Sequence, residues 1–226
     1  MIFWLDRMSS ASFQVIFDGN LDSGLPNHEI DVRELSGALA ALGLLFEAAD
    51  DLLNEGRTSH NLRVKGSFKT GSFKIDFISW QNIVQKTKDF ISNQDVVTPE
   101  STLEYLIFGG GIGGGVSALF GLMKWLKGKK PTKIVDSGNG KYKVYRGDKY
   151  HEIEKKVIQL YQDYKVRKAM ESAISGTLTE EKISKILFTK DKGKTFQEVD
   201  FSEKEYFSSL PETKTILGAC SKSIRH

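Results

Sequence analysis

A single cysteine stands in 226 residues: Cys220, close to the C-terminus. One thiol excludes an internal disulfide and a cysteine-based zinc site, and it fits a reducing compartment. Proline is almost as scarce, at four, so few rigid breaks interrupt the chain. The four histidines, His28, His60, His151 and His226, are too far apart in sequence to show metal-ligand spacing. Gly193-Lys194-Thr195 has no glycine five residues before it, where Phe188 stands, so there is no P-loop. Asp50-Asp51 and Glu180-Glu181 are adjacent acids, which point different ways on a helix and read as surface charge. Cys220 has no nucleophile context. The sequence therefore supports no named reaction, no cofactor and no metal, and leans away from an enzyme.

The N-terminal apolar run Met1-Ile-Phe-Trp-Leu5 is too short for a signal-peptide core and has no basic residue before it. No export signal is expected, and Met8 is an alternative start. The expected location is the cytoplasm, with association with the inner membrane left open.

What is there is ordinary for a folded chain: 39% apolar and 27% charged residues. The net charge of +3 hides an asymmetry. Residues 1–104 carry 9 basic and 15 acidic side chains, whereas residues 124–168 carry 14 basic and 5 acidic. A basic region of that kind attracts nucleic acid, acidic lipid or an acidic protein surface.

Periodicity suggests an α+β fold of small antiparallel sheets packed with amphipathic helices, around a central glycine-rich hydrophobic helix or helical hairpin. Phe13, Val15 and Phe17 alternate as a strand over Ser12–Phe17, and a loop runs on to Asn27. A helix then starts at Asp31, with Glu34 at capping-box spacing. It carries the stripe Val32, Leu35, Leu39, Leu42, Phe46, Ala49 and Leu53, and stops at Gly56. Leu62–Val64 and Phe73–Phe77 read as a hairpin around Gly71, with GSFK at both 66–69 and 71–74. Trp80–Ile91 reads as a short helix, and Thr98-Pro99-Glu100 opens another. Lys133–Val135 and Lys141–Tyr145 flank the turn Asp136-Ser-Gly-Asn-Gly140 as a second hairpin. His151-Glu152 reads as a helix start, and Ile153, Val157, Leu160 and Tyr164 as one helical stripe, continued by Val166, Met170 and Ile174. Ile183–Phe188 is ambiguous, and Thr195–Phe201 alternates as a strand. Ser202 and Glu205 give a second capping-box spacing. The expected division is an N-terminal α+β unit over 10–95, a glycine-rich segment over 96–130 and a basic α+β unit over 131–210.

Between Glu104 and Lys124 lie 19 uncharged residues, seven of them glycine. As one helix they would span roughly 28 Å, close to the ~30 Å hydrocarbon core of a bilayer. Gly109, Gly113, Ser117 and Gly121 fall four apart and would form a strip for close helix association. Trp125 and the cluster Lys124, Lys127, Lys129 and Lys130 resemble an interfacial anchor. The glycines dilute the apolar content, and the basic flank would require about 100 N-terminal residues to cross without a signal. The alternative is a hairpin broken at 109–111, with Val116–Leu126 packed in a core.

Gly109-Gly-Gly111-Ile-Gly-Gly114 also matches G-x-G-x-x-G. A dinucleotide site would need Tyr105–Phe108 as a strand and Ile134-Val-Asp136 as the next strand, ending in the ribose-binding acid. Further on, Lys141-Tyr-Lys-Val-Tyr-Arg146, then Lys149-Tyr150, interleaves cations with aromatics, a pattern suited to phosphate contact and base stacking. An amphipathic strand with a solvated basic face has the same pattern. Lys141, Lys143 and Arg146 are the candidate anion contacts there.

Several blocks resemble an uncharacterised family of bacterial and prophage proteins with a central glycine-rich hydrophobic segment. They are Asp31-Val-Arg-Glu-Leu35 with Leu39–Phe46, Gly71-Ser-Phe-Lys-Ile-Asp76, Leu119–Leu126 before the basic cluster, and Leu160–Lys168. The resemblance implies a shared fold and, loosely, a phage-related setting; it brings no activity. The leading expectation is a non-enzymatic, self-associating protein acting at the inner membrane through its glycine-rich helix, in phage–host conflict. Two others stand beside it. One is a soluble homo-oligomeric module that recognises protein or nucleic acid through the basic half; the other is a nucleotide-binding enzyme using the glycine turn.

Overall fold

The computed structural model describes residues 9–18, 31–65, 73–83, 96–109, 116–180, 182–190 and 195–208. The loop through Asn27, the Gly71 turn, Ser92–Asp95, Gly113, Cys220, His28 and His226 lie outside them.

Alternation with period two builds the main sheet. β1 (Ser9–Asp18) pairs on one side with β3 (Phe73–Ile83) and on the other with β7 (Lys185–Thr189). β2 (Thr58–Lys65) and β8 (Thr195–Asp200) complete the order β2-β3-β1-β7-β8, antiparallel throughout. Phe13, Val15, Phe17, Ile75, Phe77, Ile186, Phe188 and Val199 are buried. The register sets Phe13 opposite Phe77, and Val15 between Ile75 and Phe188. The Phe13 ring stacks on Phe77 at 5.1 Å and on Phe46 at 5.2 Å.

Phe46 belongs to α1 (Val32–Asn54), which lays Ala38, Ala41, Leu42, Leu45, Phe46, Ala49 and Leu53 into the core. Asp31 caps it by accepting from the Arg33 backbone N–H at 2.8 Å. The expected partner Glu34 instead pairs with Lys182 at 2.5 Å. Val32, expected on the buried stripe, is 74% exposed. α1 packs on α5 (Tyr164–Ile174) and on β2.

Trp80 continues β3 rather than opening a helix, because Gln81 faces inward and Trp80 and Asn82 outward in strand alternation; residues 84–91 are outside the described set. β7 resolves the ambiguity at 183–188 as a strand. Its pairing with β1 means the five-stranded sheet draws on both sides of the glycine-rich segment, across the expected division at 95 and 131.

A second sheet of three strands follows the basic loop: β4 (Lys133–Gly138), β5 (Lys141–Arg146) and β6 (Lys149–Glu154). β6 corrects the reading of His151-Glu152 as a helix start. Ile153 is likewise on a strand. The stripe that follows is split into α4 (Lys155–Gln162) and α5 at Asp163, whose extended backbone breaks the helix and whose carboxylate accepts from Val166 N at 2.9 Å. The capping box near the end uses Asp200 and Glu203, two residues before the expected Ser202 and Glu205, and opens a 3₁₀ turn over Phe201–Phe207.

Among its described residues the glycine-rich segment forms two helical pieces and not one helix, as in the alternative broken at 109–111 with Val116–Leu126 in the core. α2 (Pro99–Leu103), capped by Thr98, runs into a π-helical turn over Glu104–Phe108. Gly109 ends it with φ 70° and ψ 151°, a conformation close to glycine's private region. α3 (Leu119–Leu126) packs against the π-helical turn. Leu106, Ile107, Phe108, Leu119, Phe120, Leu122 and Met123 are all buried. Phe120 meets Phe188 of the main sheet at 5.6 Å and Phe207 at 4.7 Å. The apolar content that looked suited to a bilayer is thus spent on the protein core. Among the described residues, no helix is long and apolar enough to cross a membrane.

Candidate nucleic-acid interface

β-Strand alternation sorts the small sheet into two faces. Tyr142, Val144 and Arg146 of β5 share one with Ile134 of β4 and with Lys149, His151 and Ile153 of β6. Val144 and Ile153 are buried, so this face turns to the body of the protein. The other face carries Lys133, Val135, Lys141, Lys143, Tyr145, Tyr150, Glu152 and Glu154, all exposed or half-buried.

On that outer face, register aligns Lys133, Tyr145 and Tyr150 in one row across the three strands, and Val135, Lys143 and Glu152 in the next. The Tyr145 and Tyr150 rings sit 5.3 Å apart, tilted by 39°. Lys133 Nζ lies 5.9 Å from the Tyr145 ring, and Lys143 Nζ 5.0 Å from the Tyr150 ring. Cation–π contact of this kind holds each ammonium beside an aromatic plane instead of leaving it to sweep solvent. Tyr150 is 48% exposed, so its ring remains open to a ligand. Glu152 lies 4.0 Å from Lys143 and, with Glu154, makes the β6 edge acidic. Lys127, Lys129 and Lys130 are exposed on the loop that feeds Lys133.

The other cations named from sequence are placed differently. Arg146 lies on the inner face, where its guanidinium sits 4.9 Å from the Trp125 ring and its Nη1 donates to the Trp125 carbonyl. His151 meets the same indole edge-on at 4.8 Å. Trp125 and Arg146 thereby tie the small sheet to α3. Lys124 pairs with Glu203 at 2.7 Å and donates to the Glu198 carbonyl at 2.8 Å. Lys127 takes a left-handed conformation and ends α3, with Gly128 next. A Cβ at Gly128 would stand 2.9 Å from the Glu205 carbonyl oxygen. The chain therefore turns sharply and passes close to the 3₁₀ turn before entering β4.

Of the four small residues expected along one helix, the three described ones do not share a helix. Gly109 terminates the π-helical turn, Ser117 sits in the turn before α3, and Gly121 is buried within α3. Gly109 and Ser117 touch each other inside the chain. The dinucleotide pattern also loses its frame: Tyr105–Phe108 is helical, and β4 belongs to a separate antiparallel sheet.

Sequence spacing missed a buried polar cluster. Asp50 is 1% exposed, whereas its neighbour Asp51 is exposed. Its Oδ1 accepts from Asn54 Nδ2 at 2.8 Å and Gln81 Nε2 at 2.6 Å, and its Oδ2 from Thr58 Oγ1 at 2.6 Å. Asn54 Oδ1 accepts from Val97 N at 2.7 Å, while Asn54 and Gln81 both donate to the Val97 carbonyl. The cluster pins α1, β2, β3 and the entry to α2 together. Beside it, His60 Nε2 meets Ser79 Oγ at 2.6 Å and its ring stacks on Phe46 at 5.5 Å. Ser79 is fully buried, which closes it to a substrate. The one available signal was Asp50 and Asn54 at i and i+4 beside the apolar stripe of α1.

Among the described residues, no three His, Cys, Asp or Glu side chains gather to hold a metal ion. No protein-family model, curated protein or solved structure matches the chain. The site must therefore be read from its own chemistry.

Proposed function

We propose that this protein is a non-enzymatic binding module that takes single-stranded nucleic acid across the outer face of β4, β5 and β6. The observation that carries the reading is the row Lys133–Tyr145–Tyr150, with Lys143 over the Tyr150 ring. Bases stack on exposed aromatic faces with little regard to sequence, and lysines beside them neutralise the backbone. Lys127, Lys129 and Lys130 extend the positive surface along the entry loop. Glu152 and Glu154 repel the strand from the β6 edge and so favour a path across the Lys133 side.

The same cations suit anionic lipid. Insertion of residues 105–123, however, would first strip Leu106, Phe108, Phe120 and Leu122 from the core. The test is a titration of the full chain with a labelled single-stranded oligonucleotide, followed by fluorescence anisotropy and run beside flotation with phosphatidylserine vesicles. Saturable oligonucleotide binding that vesicles do not displace supports the reading. Flotation without oligonucleotide binding would assign the basic face to a membrane surface and overturn it.

A further inference from the structure

We infer that the outward face of α1 docks a second copy of this chain, with the two α1 helices antiparallel and crossing at Ala40. α1 runs for 23 residues, and its buried stripe is fully used against the sheet and α5. On the opposite side Ser36, Gly37, Ala40, Leu44 and Glu47 are exposed. Leu44 is 58% exposed, a large apolar side chain on an otherwise flat surface. Nothing lies within 4 Å of a Cβ built on Gly37 or on Gly43.

Antiparallel pairing about Ala40 sets residue 36 opposite 44, residue 37 opposite 43, and residue 33 opposite 47. Each Leu44 then enters the hollow left by Ser36, Gly37 and Ala40 of the partner, as a knob enters a hole. The missing side chains at Gly37 and Gly43 let the two backbones approach closely. Arg33 meets Glu47 of the partner twice by symmetry, as an isologous contact requires. In the free chain the Arg33 side chain is 89% exposed and holds only its own cap, Asp31, at 3.3 Å. Burial lends that pair little support at such exposure, so the guanidinium is free to swing to a partner. Parallel pairing would instead set Arg33 against Arg33 and Glu47 against Glu47, which repel. This charge pattern, together with the matched bulk of Leu44 and emptiness of Gly37, is what selects a second copy as occupant. One helix pair makes an interface below the ~1,200 Å² of standard complexes, so the association is reversible and concentration-dependent.

Sedimentation velocity of the full chain over a concentration series, without oligonucleotide, tests this independently of nucleic-acid binding. The wild type should move from monomer toward dimer as concentration rises. Leu44→Glu should weaken the dimer by about tenfold or more, with an unchanged circular dichroism spectrum because the site is exposed. Arg33→Glu and Glu47→Arg should each weaken it, and the two together should restore it. A wild type that stays monomeric would overturn the proposal. So would a dimer indifferent to Leu44→Glu, or a double charge swap no tighter than either single change.

Discussion

Gly109 and Ser117 stand in such close contact that a Cβ on Gly109 would overlap the Ser117 hydroxyl. Their contact holds the end of the π-helical turn close to the entry of α3. Gly109→Ala should therefore destabilise the protein on two counts. The backbone at φ 70° and ψ 151° costs a side-chain-bearing residue about 1–3 kcal/mol, and the overlap adds to it. Adding Ser117→Gly should recover the steric part and leave the backbone part, as read from urea denaturation midpoints. Equal stability of Gly109→Ala and wild type would mean that the segment does not turn at Gly109.

Asp50 has three side-chain donors and no cation among them. Asp50→Ala should strand the Thr58 hydroxyl and one N–H each of Gln81 and Asn54, whose other N–H still reaches the Val97 carbonyl. The expected loss is about 2–4 kcal/mol, since each unpaired buried donor is costly. Asp51→Ala, one residue on and exposed, should change little. Paired urea titrations of the two variants check the contrast.

His60 supplies a pH dependence. Burial lowers its pKa, against a smaller upward pull from the Asp50 charge. In the unfolded chain the imidazole returns to about 6.5. Between the folded value and that figure the unfolded state binds the extra proton, so stability rises with pH across the window. Stability is fully present above the unfolded pKa and is lost as pH falls from there through the folded pKa. The slope is at most about 1.4 kcal/mol per pH unit for one proton. Urea midpoints between pH 5 and 8 should show this slope in wild type and a flatter line in His60→Gln.

Tyr150→Ala removes the most open ring of the proposed interface. Its binding of a single-stranded oligonucleotide should weaken by about 1–3 kcal/mol, the range for one stacked base. The dependence of affinity on salt should be unaltered, because the ring neutralises no phosphate. For wild type, three lysines on three phosphates give a slope of log K on log salt near −2, at about −0.7 per phosphate. Anisotropy titrations at four salt concentrations measure both quantities.

Much of the fold could be read from periodicity. Phe13, Val15 and Phe17 announced β1, and the α1 stripe announced its buried side. The Asp136–Gly140 turn announced the β4–β5 hairpin. What periodicity did not carry was the pairing of β1 with β7, which joins residues about 170 apart and leaves no local trace. β6 was missed because its buried residue, Ile153, also fits the spacing of the following helix. The glycine-rich segment left two readings open, a bilayer helix and a core hairpin, for a physical reason: nothing in a run of apolar residues distinguishes a core from a bilayer until its partners are known. Of the candidate site, Lys141 and Lys143 were legible from alternation with Tyr142 and Tyr145. The same alternation puts Arg146 on the opposite face from them, where Trp125 takes it up. Tyr150 was legible in the same run of cations and aromatics, whereas Lys133 was missed because cross-strand register, not sequence spacing, brings it beside Tyr145.

Strand binding by this face depends on its outer lysines, and removing their charge isolates that contribution. The affinity of a labelled single-stranded oligonucleotide is measured by anisotropy for wild type and for the Lys133→Glu, Lys141→Glu, Lys143→Glu triple variant at one fixed, low salt concentration. All three side chains are on the open face, so the variant should fold as wild type does. Wild type should bind saturably and the variant about a hundredfold or more weaker. Equal affinity of the two proteins, or no binding by wild type, would contradict binding through these lysines.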